Sequence, residues 1–233
     1  MPLSAQPPVD AGAAIGASLQ VALLCTVFAA PLAIAGGWLL ARRRFFGKAL
    51  VSAALFAPMV LPPVVTGLLL LEVFGHDGPL GGALAMLGVS IPFTRAAAVI
   101  AALVVGMPLF VMAARAAFEG VDRSYDEVSA TLGERPWRTF IRVTLPLAWP
   151  GLVAGAVLMF ARSLGEFGAT IVLAGNSGET RTIAIALYSL LDRPGDASET
   201  RILVGASLAI SLATLVAYEW LNRRQRRRLE LDE

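Results

Sequence analysis

Two ionisable residues interrupt an otherwise apolar run: Arg162 and Glu166, in the stretch R-S-L-G-E-F-G-A-T over Arg162–Thr170. If that run enters a bilayer near Gly151, eleven residues at 1.5 Å each carry Arg162 roughly 16 Å deep, close to the midplane. Ionisable groups at such depth are costly and face a bundle interior or water, so each is a functional candidate. Spaced i and i+4, the two share a helix face and can pair. Two chemistries follow. Either the pair is structural, each charge neutralising the other, or Arg162 offers a guanidinium to a passing anion while Glu166 orients it. Gly165 and Gly168 permit close approach of a neighbouring helix or local unwinding. Ser163 and Thr170 add hydroxyls.

Little else in the chain suits bond-making chemistry. The single histidine, His76, lies in the glycine-rich stretch Gly75–Thr94, and the single cysteine, Cys25, lies inside an apolar run. Neither a phosphate-binding Gly-x-x-x-x-Gly-Lys-Ser/Thr loop nor a His-Glu-x-x-His spacing occurs. A membrane-embedded enzyme would need a nucleophile–base or metal constellation at depth. No cofactor or metal site is therefore expected in this chain.

The longest polar interruption is Glu127–Pro146, EVSATLGERPWRTFIRVTLP. Ser124 and Glu127 stand in capping-box spacing, so a helix is expected to begin at Tyr125. Tyr125, Val128 and Leu132 share one face of it, and Gly133 fits a left-handed stop. Pro136 suits the first turn of a second helix. There Trp137, Phe140, Ile141 and Leu145 are expected on one side, and Pro146 to end it. A helix–glycine–helix hook between apolar segments is a shape another protein can grip. The bland alternative for Glu127 is that it only caps its helix.

The elements that position these residues are spans. With 57% hydrophobic residues and a mean hydropathy of +0.71, the chain is no soluble domain. Crossing about 30 Å of hydrocarbon takes about 20 apolar residues. Five runs qualify, at approximately 15–41, 49–74, 96–118, 148–174 and 202–221. Ile183–Leu191 is too short and is expected to lie at the outer interface or re-enter. Pro58, Pro62 and Pro63 break the second run, which membranes tolerate where protein or water meets the freed carbonyls. That places Leu61–Gly67, with the Thr66 hydroxyl, against protein or a cavity, or else makes it an ordinary kink. Arg115 and Glu119 are spaced to pair.

Charge fixes orientation. Of 19 basic residues, fourteen follow the first run (Arg42, Arg43, Arg44, Lys48), fill the Glu127 loop (Arg115, Arg123, Arg135, Arg138, Arg142) or follow the last run (Arg223, Arg224, Arg226, Arg227, Arg228). Arg95, Arg181, Arg193 and Arg201 are left for the other side. The excess places the Glu127 loop and the C-terminus in the cytoplasm and the N-terminus outside. Basic residues beside apolar spans serve topology and contact with anionic lipid, not nucleic acid. The first span is expected to remain uncleaved, because residues 1–14 lack a basic start.

The Glu127 stretch resembles the EAA loop of ABC-transporter membrane subunits. Glu127, Gly133, Leu145 and Pro146 match that pattern in identity and spacing; Val128 and Ser129 replace the usual alanines, and Val143 the usual isoleucine. In the resemblance this loop is the coupling helix that docks on an ATPase subunit, with Glu127, Ser129, Gly133, Trp137, Leu145 and Pro146 as the coupling residues. R-S-L-G-E-F-G-A-T, A-G-N (Ala174–Asn176), E-T-R-T (Glu179–Thr182), L-P-P-V-V-T-G (Leu61–Gly67) and G-M-P-L-F-V-M-A-A-R-A-A-F (Gly106–Phe118) are similar to molybdate permease subunits. Sulfate and thiosulfate permeases share the L-G-E-F-G core.

The resemblance implies an all-α polytopic fold in one domain over residues 1–233; hydropathy gives it five spans, where the family is drawn with six. The coupling loop covers about 119–147 and a basic cytoplasmic tail about 222–233. It implies a type I importer of the inner membrane working by alternating access on molybdate or tungstate. Pro62, Thr66, Arg162, Ser163, Gly165, Glu166, Gly168 and Thr170 are the substrate-pathway candidates. The implied partners are a second copy of this chain, two ATP-binding-cassette subunits holding ATP and magnesium, an extracytoplasmic oxyanion-binding protein and the bilayer. A passive membrane anchor is the rival of another class, but it needs neither broken, glycine-rich spans nor buried charge.

Overall fold

The computed structural model describes residues 9–191 and 197–229, and its regular elements there are all helices. Residues 1–8, Arg193 and the end of the expected tail (230–233) lie outside the described residues, as do the side chains of Arg224, Arg226, Arg227 and Arg228.

Helix α1 (Ala11–Arg42) starts under a cap in which Asp10 accepts the Ala13 N–H at 3.1 Å. Its buried face is mostly small: Ala14, Ser18, Ala22, Cys25, Ala29, Ala33 and Gly37. In a bilayer the lipid is as apolar as leucine, so association depends on close backbone approach, which small residues allow. Helix α5 (Arg95–Glu119) answers with Ala97, Ala98, Ala101, Ala102, Gly106 and Ala114. At the closest point a methyl group on Gly37 would stand 2.6 Å from the Ala114 β-carbon and 2.8 Å from the Arg115 amide nitrogen. The large apolar side chains of α1, among them Leu23, Val27, Phe28 and Leu32, point outward and are exposed.

The second run is not one span. It divides into α2 (Lys48–Val60) and α3 (Pro63–Phe74), bent by 115° across Leu61–Pro62. Neither Pro62 nor Pro63 has an N–H to continue the α2 ladder, and the residue before a proline is driven out of the α region, as Leu61 is at ψ 142°. Pro63 then serves as the first residue of α3. After the short α4 (Pro79–Ala85) and α5 come α6 (Ser124–Thr131) and α7 (Pro136–Thr139).

Helix α7 does not end at Pro146, as the sequence led us to expect. It passes through a π turn (Phe140–Thr144) into α8 (Leu145–Leu164), one continuous path of 29 residues from Pro136. The Leu145 N–H reaches the Phe140 carbonyl, and Pro146, which lacks an N–H, sits in the first turn of the new segment. The wider turn accommodates the proline ring without a break. The fourth span is also shorter than its apolar run: α8 stops at Leu164, and α9 (Gly168–Leu173) begins after a three-residue gap. Helices α10 (Ile183–Leu191) and α11 (Ala197–Leu229) complete the chain. Among the described residues four helices are long and apolar enough to cross a membrane, or five if the bent pair counts as one span.

The Ala11 N–H donates to Glu199 at 3.1 Å, so the starts of α1 and α11 share one end, and Arg95 Nε at the start of α5 donates to the Glu179 carbonyl, ahead of α10, at 3.1 Å. The end of α1 meets the chain after α5 at the other, where the basic loop lies.

Candidate functional site: a hook at one end and a broken core

The hook is built by backbone chemistry. Gly133 has φ +75°, the left-handed conformation expected of it. The Gly133 N–H reaches the Ala130 carbonyl and the Glu134 N–H reaches the Ser129 carbonyl, both at 3.0 Å, which closes a Schellman cap on α6. Ser129 therefore contributes its main-chain carbonyl to the stop.

The start of α6 differs from expectation. Ser124 is the first helical residue, not the cap, and its N–H is accepted by Asp122 at 2.8 Å. That bond and the Ser124 hydroxyl hold the Asp122 carboxyl below the usual carboxylate range. Proximity decides this: Asp122 reaches the amide two residues on in an Asx turn, so the S-x-x-E pair is not needed. The D-x-S spacing was the available signal.

Glu127 is thereby free of capping. It lines a pocket of about 360 Å³ with Trp38, Arg43, Arg123, Glu134 and Phe140, between the end of α1 and the hook. Tyr125, Val128 and Leu132 are exposed together on one side of α6.

Past Gly133 the expected face splits. Trp137 and Ile141 are exposed, while Phe140 and Leu145 turn inward on Phe118 and Leu152. The π turn begins at Phe140, and its extra residue brings Leu145 round to the side of Phe140, away from a 3.6-residue register. Phe140 stands edge-on to Trp38 at 5.7 Å, and Arg138 lies over the Trp137 ring at 5.6 Å. Pro146 is exposed on the helix surface.

The second group of candidates gathers where the chain breaks. Glu166 is 2% exposed and pairs with Arg162 at 2.7 Å. The two do not share a helix face, because α8 has ended between them; the pair spans the gap. The other Glu166 oxygen accepts the Ala169 N–H at 2.9 Å, satisfying a donor in the first turn of α9. Gly165 marks the unwinding, with no close neighbour, whereas Gly168 marks the approach: a methyl there would lie 2.8 Å from the Pro63 β-carbon. Gly67 answers from α3, its own methyl position lying 2.9 Å from the Ala169 α-carbon and carbonyl oxygen. The two backbone breaks, at Leu61–Pro62 and at Gly165–Phe167, are thus pressed against each other.

Thr66 and Thr170 are buried at this junction, and the Thr66 hydroxyl oxygen has no hydrogen-bond partner among the described residues. Pro62 is exposed at its edge. Ser163 takes a different role. Its hydroxyl donates to the Met159 carbonyl at 2.8 Å and accepts from the Cys25 thiol at 2.9 Å, tying α8 to the middle of α1.

Several positions had no legible role in the sequence. Arg42 donates to the Val121 carbonyl at 2.7 Å and pairs with Asp126 at 3.5 Å. Arg181, expected as an outer-side charge, is 4% exposed, and its Nε donates to Asn176 at 2.9 Å. Nearby the Ile183 N–H donates to Ser18 at 2.8 Å, fixing α10 on α1. Arg115 and Glu119 pair at 2.8 Å, as their spacing predicts. Among the described residues no group of His, Cys, Asp and Glu side chains could hold a metal ion.

A family model described as binding-protein-dependent transport system inner membrane component matches residues 33–227. The Molybdenum transport system permease protein ModB of Haemophilus influenzae is 44% identical over 218 residues, 93% of this chain and 95% of that protein. Its Escherichia coli K12 counterpart is 46% identical over 213 residues, 91% and 93% of the two chains. A probable sulfate transport system permease protein of Nephroselmis olivacea is 32% identical over 91% of this chain and 74% of its own. Among solved structures, the MetNI methionine ABC transporter in an inward-facing conformation aligns at TM-score 0.67 and 18% identity, over 91% of this chain and 94% of that one. A bacterial alginate ABC transporter in complex with its pentasaccharide-bound periplasmic protein aligns at TM-score 0.69 and 18% identity, over 92% and 78%.

Proposed function

The chain belongs to the family of binding-protein-dependent transport system inner membrane components, and on that premise we propose how it works and what it carries. It is a multi-pass permease subunit of an ABC importer. The cargo we assign is molybdate. The observation that carries this is identity of 44% and 46% across nearly the whole length of two molybdenum permeases, against 32% for a sulfate permease. Tungstate, a tetrahedral dianion of nearly the same size, fits the same reading, and sulfate is the second choice.

Two copies of the chain enclose the pathway, since so few spans cannot surround a gated cavity alone. The hook of α6 and α7 takes the push of an ATPase subunit through its outward Tyr125, Val128, Leu132 and Trp137. Nucleotide and magnesium belong to that partner, so this chain translocates without catalysing. An extracytoplasmic binding protein delivers the anion at the end where α1 begins. The hook and the end of α11 face the cytoplasm.

The pathway runs beside the paired breaks of α2–α3 and α8–α9. Irregular backbone at membrane depth is tolerated only in protein or beside water. Pro62 is exposed there while Thr66 and Glu166 are buried, so the wall is built from main chain and proline more than from charge. Glu166, paired and capping, presents no bare carboxylate to an anion.

The test is uptake by the complex reconstituted in vesicles with its ATPase and binding protein, comparing molybdate, tungstate and sulfate. Molybdate and tungstate should stimulate ATP-dependent accumulation. Stimulation by sulfate alone would transfer the assignment to sulfate, and accumulation of none would remove oxyanion transport.

A further inference from the structure

The hook can move the spans only through atoms that connect them, and Asp126 holds two such connections. It stands in the first turn of α6, beside Glu127. One carboxylate oxygen pairs with Arg42, the last residue of α1, at 3.5 Å; the other accepts the Thr144 hydroxyl at 3.3 Å, from the π turn at the foot of α8. Both partners are buried, Arg42 with 8% of its side chain exposed and Thr144 with 2% of the residue. The same guanidinium donates to the Val121 carbonyl just beyond α5, while its Nε meets no acceptor among the described residues. Arg42 is thus held by Val121 and Asp126 together. Behind it α1 and α5 are in backbone contact at Gly37 and Ala114.

We propose that Asp126 is a positioning residue that divides the motion of the hook, passing it to the α1–α5 body through Arg42 and to α8 through Thr144. The π turn is the compliant joint between the hook and α8. Without the Thr144 contact, a displacement of α6 would be absorbed there before it reached the Arg162–Glu166 gap. This rests on the hook being the ATPase contact, and it adds which side chain carries the displacement onward.

The experiment uses the whole reconstituted complex and reads ATP hydrolysis, ATPase retention and molybdate uptake separately. Asp126→Asn keeps an acceptor for Thr144 and removes the charge opposite Arg42; Thr144→Val removes the other link. Each should retain the ATPase and hydrolyse ATP near the parent rate, with uptake per ATP lowered about fivefold or more. Asp126→Glu, which restores the charge, should recover more of the coupling than Asp126→Asn. Unchanged uptake per ATP in both single variants would overturn the proposal. So would release of the ATPase, which would assign Asp126 to docking. Should the parent complex accumulate sulfate and not molybdate, the substrate reading fails while the coupling ratio is still measured on sulfate.

Discussion

Gly67 lies so close to Ala169 that a methyl group on the glycine would stand 2.9 Å from the alanine α-carbon. The contact joins two half-helices about a hundred residues apart in sequence, each beginning just after a break in the chain. Because the neighbour is backbone, nothing can rotate aside. Gly67→Ala should therefore separate α3 from α9 at a cost of about 1–3 kcal/mol, as overpacked sites do. Thermal inactivation of the purified protein in detergent measures this. Gly16→Ala, where nothing lies within 4 Å, is the control and should leave the midpoint in place.

Gly133 has open space around it, so any side chain fits; its constraint is φ +75° alone. A β-branched residue is strained there by about 1–2 kcal/mol, whereas asparagine tolerates the conformation. We expect Gly133→Val to insert normally but to lose uptake or the ATPase, and Gly133→Asn to retain most of both. Wild-type uptake by the valine variant at wild-type abundance would refute the hook geometry.

Glu166 does two things that one substitution can separate. Glu166→Ala removes the partner of Arg162 and the acceptor for Ala169, and breaking a buried pair costs about 3–5 kcal/mol. Because Arg162 keeps 31% of its side chain exposed, the lower end applies. Glu166→Gln retains an acceptor and should be the milder variant in membrane abundance. Exchanging the pair, Arg162→Glu with Glu166→Arg, restores opposite charges but leaves no acceptor for the Ala169 N–H. We therefore expect the exchange to recover abundance only in part. Full recovery of abundance and uptake would show that the cap is dispensable.

Asp122 carries a pH dependence outside the membrane. Its carboxyl is held below the usual range by the Ser124 N–H, so the cap contributes above the ordinary carboxylate pKa and is lost as pH falls through the lowered one. Hydrogen exchange at the Ser124 amide, corrected for intrinsic rate, should lose protection on acidification through that range. Asp122→Asn should show no such step.

Orientation is tested by a reporter that works only in the cytoplasm, fused after Glu233. Activity there is expected from the fourteen basic residues assigned to that side. Activity only of a periplasm-dependent reporter would invert the topology.

The sequence by itself determined what depends on local chemistry and on hydrocarbon. The apolar runs located α1, α5 and α11 closely, because about 20 residues must cross whatever the neighbours are. Gly133 announced its left-handed stop, since without a β-carbon it adopts positive φ freely, and Pro136 the first turn of α7, since its ring fixes φ. Tertiary structure decided the rest. Hydropathy cannot distinguish a straight span from one folded by 115°, since it sums composition and carries no direction; the prolines mark the break, and only the fold lays α9 against α3 at Gly67. The i,i+4 spacing of Arg162 and Glu166 is the same whether they share a helix or span a gap, and only the end of α8 at Leu164 settles which. The π turn brought Phe140 and Leu145, five residues apart and roughly 140° apart on a regular helix, onto one inward side. Arg42 and Asp126 are separated by 84 positions and carry no motif, so their ion pair became visible only when the ends of α1 and α6 were brought side by side.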